Sequence, residues 1–395
     1  MSVPQPLEGV RVVDFTQVML GPCATQLLSD HGAEVIKIER PGSGDLSRSA
    51  MGEAAGADNP VFSSLNRNKR SVTLDLRSEE GNRIVRELVA ECDVLVHNFR
   101  PGVMERRGLD YETCHEINSG LVYAVGSGFG PTGPYQHKGG QDALVQALSG
   151  VMSRRADDSV PLSIYATTFA DYTAGMHLVQ GILLALRVRD RTGEGQRVDT
   201  SLFNGLLAMQ MQEATTHLMT GQELNWAAYP LSGVFHGTDG ALVLVGAFRA
   251  NPLRDICTAL GIDDLSAEER YATFDAQMAH REELQEAFRE AFAKESVAHW
   301  IGRLEEQDLL CAPVQDLPEA LADPQTEHNG MVIGIDRDGQ EPVRTIASPI
   351  RMSSTPMRAP TPPPRLGEHT DQVLEEILGL DAAALADLRE KGVLG

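Results

Sequence analysis

Short apolar runs alternate with helical patterns through the first 200 residues, and this alternation restricts the fold more than any other feature of the chain. Val10 to Phe15, Glu34 to Ile38, Ser71 to Leu76, Val94 to Val96 and Leu121 to Val125 are short and rich in Val, Ile and Leu. Between them lie helical patterns such as Pro22 to His31, with Pro at its start and Gly32 at its end, and Glu79 to Val89. Strands that are apolar without alternation are buried on both faces, which predicts a doubly wound, Rossmann-like parallel sheet with its ligand crevice at the carboxyl ends of the strands. The loops that leave those ends hold Thr16-Gln17-Val18-Met19, Arg40 to Asp45, Asn98 to Gly102 and Gly126 to Gly130.

Beyond Asp199 the pattern changes. Leu202 to Met219 reads as one helix, Val234 to Val245 as a hairpin turned at Thr238-Asp239-Gly240, and Glu282 to Glu306 as charged helix. From Glu327 the chain turns strand-like and then proline-rich at residues 360 to 364, before an amphipathic helix from Asp371 to Arg389. The reading is a large α/β domain over residues 1–224, a smaller α/β domain over 225–325, and a C-terminal arm and helix over 326–395 that returns to the large domain, joined by long linkers.

At 395 residues with 42% apolar and 23% charged side chains, the chain has ordinary globular composition. A net charge of −22 opposes encounter with nucleic acid or anionic membranes. It leaves room for a local basic pocket, and Arg40, Lys69, Arg70, Arg77, Arg100, Arg106 and Arg107 gather in the first third. Five cysteines without CxxC spacing indicate neither disulfides nor zinc. The opening MSVPQPLEG has no basic region followed by an apolar run, and no apolar stretch approaches the roughly 18 residues of a bilayer span, so a cytoplasmic location is expected.

Asp171 stands in Thr167-Thr168-Phe169-Ala170-Asp171, directly ahead of the apolar stretch Leu178 to Leu186. A carboxylate in a first helical turn faces unpaired N–H groups and should stay ionised at neutral pH, and an ionised carboxylate can attack an acyl carbon. The same residues also fit a plain cap at Thr168 with an acidic first turn. Gly126-x-Gly128-x-Gly130 fails the dinucleotide fingerprint at Pro131, so no NAD is expected. Neither HExxH spacing nor a Gly-x-Ser-x-Gly elbow is present, so metal and serine-hydrolase chemistry lack support.

Several stretches in order along the chain resemble the class III coenzyme A transferases, the CaiB/BaiF type that includes formyl-CoA:oxalate transferase. They are Asp14-Phe15-Thr16, Gly32 to Glu39, Asn68-Lys69-Arg70-Ser71, Asn98-Phe99-Arg100-Pro101-Gly102, Gln141-Asp142 through Ser149-Gly150, Thr192 to Gln196, Cys311 to Val314 and Leu366 to Thr370. The resemblance places Asp171 at the family's catalytic aspartate, working through aspartyl anhydride and aspartyl-CoA intermediates. It implies Gln17, Gln141 and the stretch beginning at Gly246 around that aspartate, although the family's run of several glycines is missing at Gly246-Ala247-Phe248. For coenzyme A it implies Val18, Arg40, Leu74, Arg77, Asn98, Phe99, Arg106, Arg107 and Lys138. Guanidinium groups suit phosphates because they bind oxygens in pairs.

Oxalate-using members carry Gln at the position of Met19 and Trp at that of Ala50, so this chain is expected to take an acid with more hydrocarbon than oxalate. Dicarboxylates of four or five carbons, aromatic acids and a carnitine-like acid stay open. The resemblance also implies an interlocked homodimer. An α-methylacyl-CoA racemase shares the fold but places a histidine where Gln141 stands, and Gln is no general base. A non-catalytic acyl-CoA binding protein is the third reading, which the retained Asp171 opposes.

Overall fold

A computed structural model describes residues 3–50, 59–337 and 339–395. Contacts divide the chain into two units, one of Met1–Val151, Ile164–Gln210 and Gln325–Gly395, the other of Met152–Ser163 and Met211–Pro324.

The first unit is built on six strands, β1 (Arg11–Asp14), β2 (Glu34–Glu39), β3 (Lys69–Thr73), β4 (Val94–His97), β5 (Val122–Ser127) and β6 (Arg197–Ser201). All pair in parallel, in the order β3-β2-β1-β4-β5-β6. Successive side chains of a strand point to opposite faces, and here both faces are covered. Val13, Ile36, Val72 and Leu95 enter one core, with Ile84, Val85 and Leu88 of a helix over it. Val12, Val35, Val94 and Val122 enter the other, against Ala24, Leu28, Leu178 and Ile182. Each fully buried Leu or Ile here contributes roughly 2 kcal/mol from the water it leaves.

The helices of this unit begin with α1 (Leu20–Asp30), the short α2 (Pro60–Ser63), α3 (Glu79–Ala90), α4 (Tyr111–Ile117) and α5 (Asp142–Leu148). They continue with α6 (Phe169–Thr192) and α7 (Leu202–Met209). The chain leaves β1 toward β2 and β3 on one side and reaches β5 and β6 from β4 on the other. The order therefore reverses between β1 and β4, and a crevice opens at their carboxyl ends. The strand β6, which carries Val198 as its one aliphatic residue, is an edge strand and shows no apolar run in the sequence.

In the second unit α8 (Met211–Thr220) follows α7 after a break at Gln210, so Leu202 to Met219 is two helices rather than one. The hairpin is β7 (Ser232–His236) and β8 (Ala241–Val245), extended by the antiparallel β9 (Leu310–Pro313). Next come α9 (Pro252–Leu260), α10 (Phe274–Ala279), α11 (Arg281–Phe292) and α12 (Val297–Glu306). The expected single helix from Glu282 to Glu306 is interrupted at Ser296, whose hydroxyl accepts the His299 N–H and starts α12. Phe235 stacks on Phe292 with ring centroids 4.8 Å apart, and Trp300 Nε1 donates to the Phe292 carbonyl, closing this core.

The helices α13 (Leu317–Ala322) and α14 (Pro324–His328) lead to the antiparallel pair β10 (Val332–Arg337) and β11 (Gln340–Ile346). The proline-rich segment then bonds along the edge of the six-stranded sheet: Thr361 N–H donates to Asn68 Oδ1 and the Asn68 N–H to the Thr361 carbonyl. Two last helices, α15 (Thr370–Leu378) and α16 (Ala382–Glu390), add Val373, Leu374, Leu385 and Leu388 to the first core. Among the described residues no helix is long and apolar enough to cross a membrane.

Candidate functional site

The turn from β1 into α1 stands at the switch point. Gln17 N–H donates to Asn98 Oδ1 at 2.9 Å, and Asn98 Nδ2 donates back to the Gln17 carbonyl at 2.8 Å, so the loops after β1 and β4 clasp each other. Val18 sits at φ 65°, a left-handed backbone that a β-branched residue adopts only under constraint. Its N–H is held by Asp45 Oδ1 at 3.1 Å.

Asp171 is the third residue of α6. The expected cap at Thr168 makes no side-chain bond; Asp142, the first residue of α5, replaces it. One Asp142 oxygen accepts both the Ala170 N–H at 2.7 Å and the Asp171 N–H at 3.1 Å. The first-turn N–H groups expected to face Asp171 are thus taken by Asp142. Burial, then the neighbouring Asp142 charge, pushes the Asp171 carboxyl up to about 6, against a smaller downward pull from a hydrogen bond with the Leu20 backbone N–H.

The close approach of α1 and α6 makes that bond possible. A Cβ on Gly175 would lie 2.3 Å from Cys23 Sγ and 2.6 Å from the Leu20 carbonyl, so only glycine lets the helices meet here. Burial and the charge of Asp171 together push the Cys23 thiol up to about 12, which leaves it inert as a nucleophile at neutral pH.

One cavity of about 190 Å³ gathers Gln17, Arg40, Leu74, Arg77, Phe99 and Arg107 from the sequence candidates, with Phe15, Ile38 and Val103 as further apolar wall. Leu74 and Phe99 offer faces for a planar ring, and the three guanidinium groups offer donors for phosphate oxygens. Arg77 leans on Asp75 at 3.0 Å and Arg107 donates to the Leu76 carbonyl at 2.6 Å. Val18 and Asn98 adjoin the cavity through the Gln17 clasp.

Other candidates are not among the residues that line this cavity. Arg106 is exposed beside Gly102, and Lys138 lies over the Tyr135 ring at 4.8 Å. Gln141 is exposed at the N-cap of α5. Gly246 follows β8 in the second unit, where its N–H donates to the Leu231 carbonyl; two residues on, the exposed Phe248 is left-handed at φ 62°. Two of the gathered basic residues face inward. Lys69 is fully buried on Asp14, Thr25 and Asn66, and Arg70 is paired with Glu34 and Glu376. Among the described residues no group of three or more His, Cys, Asp or Glu is placed to hold a metal.

Sequence reasoning passed over Asp142 and Asp45. Asp142 stands beside Gln141 in a stretch that carries the family resemblance, and Asp45 closes the loop after β2 that begins with Arg40; those placements were the available signal.

The model of CoA-transferase family III matches residues 7–370. An acyl-CoA transferase of Fusarium pseudograminearum is 35% identical, covering 98% of this chain and 88% of that protein. Succinyl-CoA:glutarate CoA-transferase of Mus musculus is 34% identical, covering 99% and 90%. The crystal structure of a CAIB/BAIF family protein from Brucella suis superposes with a TM-score of 0.84 at 32% identity, covering 95% of this chain and all of that one. With the parallel sheet and the matched length, these findings make the chain a member of CoA-transferase family III, an enzyme of the class III type that moves coenzyme A between carboxylates.

Proposed function

We propose that Asp171 carries the acyl group and coenzyme A in turn. Its carboxylate oxygen adds to the thioester carbonyl of the donor, the C–S bond breaks, and CoA leaves as thiolate, giving a mixed anhydride. The thiolate attacks the Asp171 carbonyl carbon, expelling the donor acid as carboxylate and leaving an aspartyl-CoA thioester. The acceptor carboxylate attacks that thioester, CoA leaves again, and a second anhydride forms. Thiolate attack on its acceptor carbonyl yields the new acyl-CoA and free Asp171.

The placement of Asp171 carries this reading: a carboxyl half-buried in a first helical turn, with a pKa raised to about 6. At pH 7 such a group is still about tenfold more ionised than protonated, yet more basic than an ordinary carboxylate. Gln17, its backbone held by the Asn98 clasp, lies three residues ahead of Leu20, and the cavity it lines suits the adenine and phosphates of CoA. Gln141 has no titrating group for racemisation.

For the acids, the mouse relative's name supplies the first probe pair, succinyl-CoA and glutarate, dicarboxylates of four and five carbons that agree with an apolar Met19. The exposed Leu183, Leu184 and Val188 of α6 and Leu207 and Met209 of α7 form apolar surface that a second chain of the interlocked homodimer would cover. A cytoplasmic setting agrees with free thiols at Cys23, Cys92, Cys114, Cys257 and Cys311.

The test is mass spectrometry after incubation with succinyl-CoA and a hydroxylamine quench. A hydroxamate at Asp171, lost in Asp171→Ala while CoA binding survives, is the expected result. Full transfer activity in Asp171→Ala would overturn the mechanism.

A further inference from the structure

We infer that Asp45 is a positioning residue: anchored on Lys37, it holds the β1–α1 turn so that the start of α1 keeps its close seat on α6 at Gly175, one turn on from Asp171. This rests on Asp171 being the reacting carboxylate.

The turn has no regular structure to hold it, so side chains must. Asp45 Oδ1 accepts the Val18 N–H at 3.1 Å and both the N–H and the hydroxyl of Ser47 at 2.8 Å. Its other oxygen lies 2.8 Å from Lys37 Nζ, with both side chains fully buried. The same ammonium donates to the Thr16 carbonyl at 2.6 Å, so one ion pair grips the turn at two successive peptide units. From the α1 side, Lys69 donates to the Pro22 carbonyl and to Thr25 Oγ1 and lies 3.2 Å from Asp14. Asp14 in turn accepts the N–H and hydroxyl of Thr16.

The charges balance. Asp14, Glu39 and Asp45 face Lys37, Lys69 and Arg48, with Arg48 on Glu39 at 2.7 Å. A buried ion cluster contributes little net stability against well-packed apolar residues, so its presence asks for another purpose. The left-handed Val18 supplies one: a β-branched residue there is strained, and a buried charged acceptor for its N–H offsets that strain. Without Asp45 the turn is free to relax, carrying Leu20, two residues on, off its seat on α6. Displacement of about 1 Å at a reacting group costs on the order of 100-fold in rate.

The experiment measures single-turnover labelling of Asp171 by succinyl-CoA under hydroxylamine, across pH, with calorimetric CoA affinity beside it. Asp45→Ala should label about 30- to 100-fold more slowly while CoA affinity stays within about threefold. Its acid limb should move to higher pH, because Asp171 loses the N–H that pulls its pKa down. Asp45→Asn keeps an oxygen for the Val18 N–H but loses the charge that anchors it on Lys37, so its labelling rate should fall between those of Asp45→Ala and the parent. Labelling of Asp45→Ala within threefold of the parent with an unmoved acid limb overturns the inference, as does Asp45→Asn failing as badly as Asp45→Ala. Should Asp45→Ala not fold, Ser47→Ala removes one of the three donors on the same oxygen. Slower labelling at unchanged CoA affinity supports the inference, and unchanged labelling overturns it. Absence of a hydroxamate in the parent enzyme indicts the Asp171 reading instead.

Discussion

Replacing Asp171 by Asn should make the protein more stable at neutral pH. The Asp171 carboxyl rises from its ordinary 3.8 to about 6 on folding, chiefly through burial and then the charge of Asp142. A raised carboxyl pKa means the folded state holds the proton more tightly than the unfolded one, so stability falls as pH climbs from about 3.8 to about 6 and stays low above. The interval corresponds to about 3 kcal/mol at pH 7.5, of which about 1 kcal/mol has already been lost at pH 4.5. Asn at 171 never pays this penalty. The pull of the Leu20 N–H on the charged form is already contained in the net shift, so neutral Asn recovers the whole interval. The expected gain is therefore about 3 kcal/mol at pH 7.5, shrinking to about 1 kcal/mol at pH 4.5.

The assay must read the right unit. Both tryptophans, Trp226 and Trp300, lie in the second unit, so intrinsic tryptophan fluorescence reports the wrong part of the chain. Hydrogen exchange of α6 peptides, compared between parent and Asp171→Asn at pH 4.5 and 7.5, reads the first unit directly. A variant no more protected than the parent at pH 7.5, or a gap of equal size at both pH values, would refute the reasoning. The result has a functional meaning, since a reactive group held in a costly environment trades stability for chemistry.

Other outcomes follow from the same geometry. The acid limb of kcat should fall with an apparent pKa near 6 as Asp171 takes up a proton, and Asp142→Asn should shift it downward; an unmoved limb in that variant would remove Asp142 as a cause. Gly175→Ala should cost about 1–3 kcal/mol by thermal denaturation despite the better helix propensity of Ala, because one of its clashes is with the Leu20 backbone carbonyl, which cannot turn aside. Val18→Gly should stabilise by about 1 kcal/mol in urea unfolding, since glycine accepts φ 65° freely. Arg40→Ala should weaken CoA binding about tenfold in calorimetry at low salt, with the difference shrinking as salt rises.

What the sequence shows of this fold follows from how each strand is buried. The strands β1, β2, β4 and β5 are covered on both faces, so an uninterrupted apolar run betrays them. At the edge, β6 is half covered and reads Arg-Val-Asp-Thr-Ser, which has no apolar run to detect. Likewise β9 is largely exposed and ends in proline, so its pairing with β8 depends on tertiary context alone.

The site divides in the same way, between what one stretch can express and what only folding assembles. Asp171 was visible because its helix start and apolar continuation are local, and Arg40, Leu74, Arg77, Phe99 and Arg107 because they sit in stretches with a family pattern. Ionisation of Asp171 at neutral pH is compatible with a pKa of about 6, but the upward direction of the shift is not legible locally. A lone helix terminus lowers a carboxylate pKa. Here the N–H groups of that terminus are occupied by Asp142, 29 positions upstream, whose charge then acts on Asp171 from the same side. Burial of the carboxyl is the larger cause of the upward shift, and the Asp142 charge adds to it while its oxygen occupies the donors that would have opposed both. Burial and cap alike come from segments packed against the start of α6 from elsewhere in the chain, so no window around the carboxyl contains the answer.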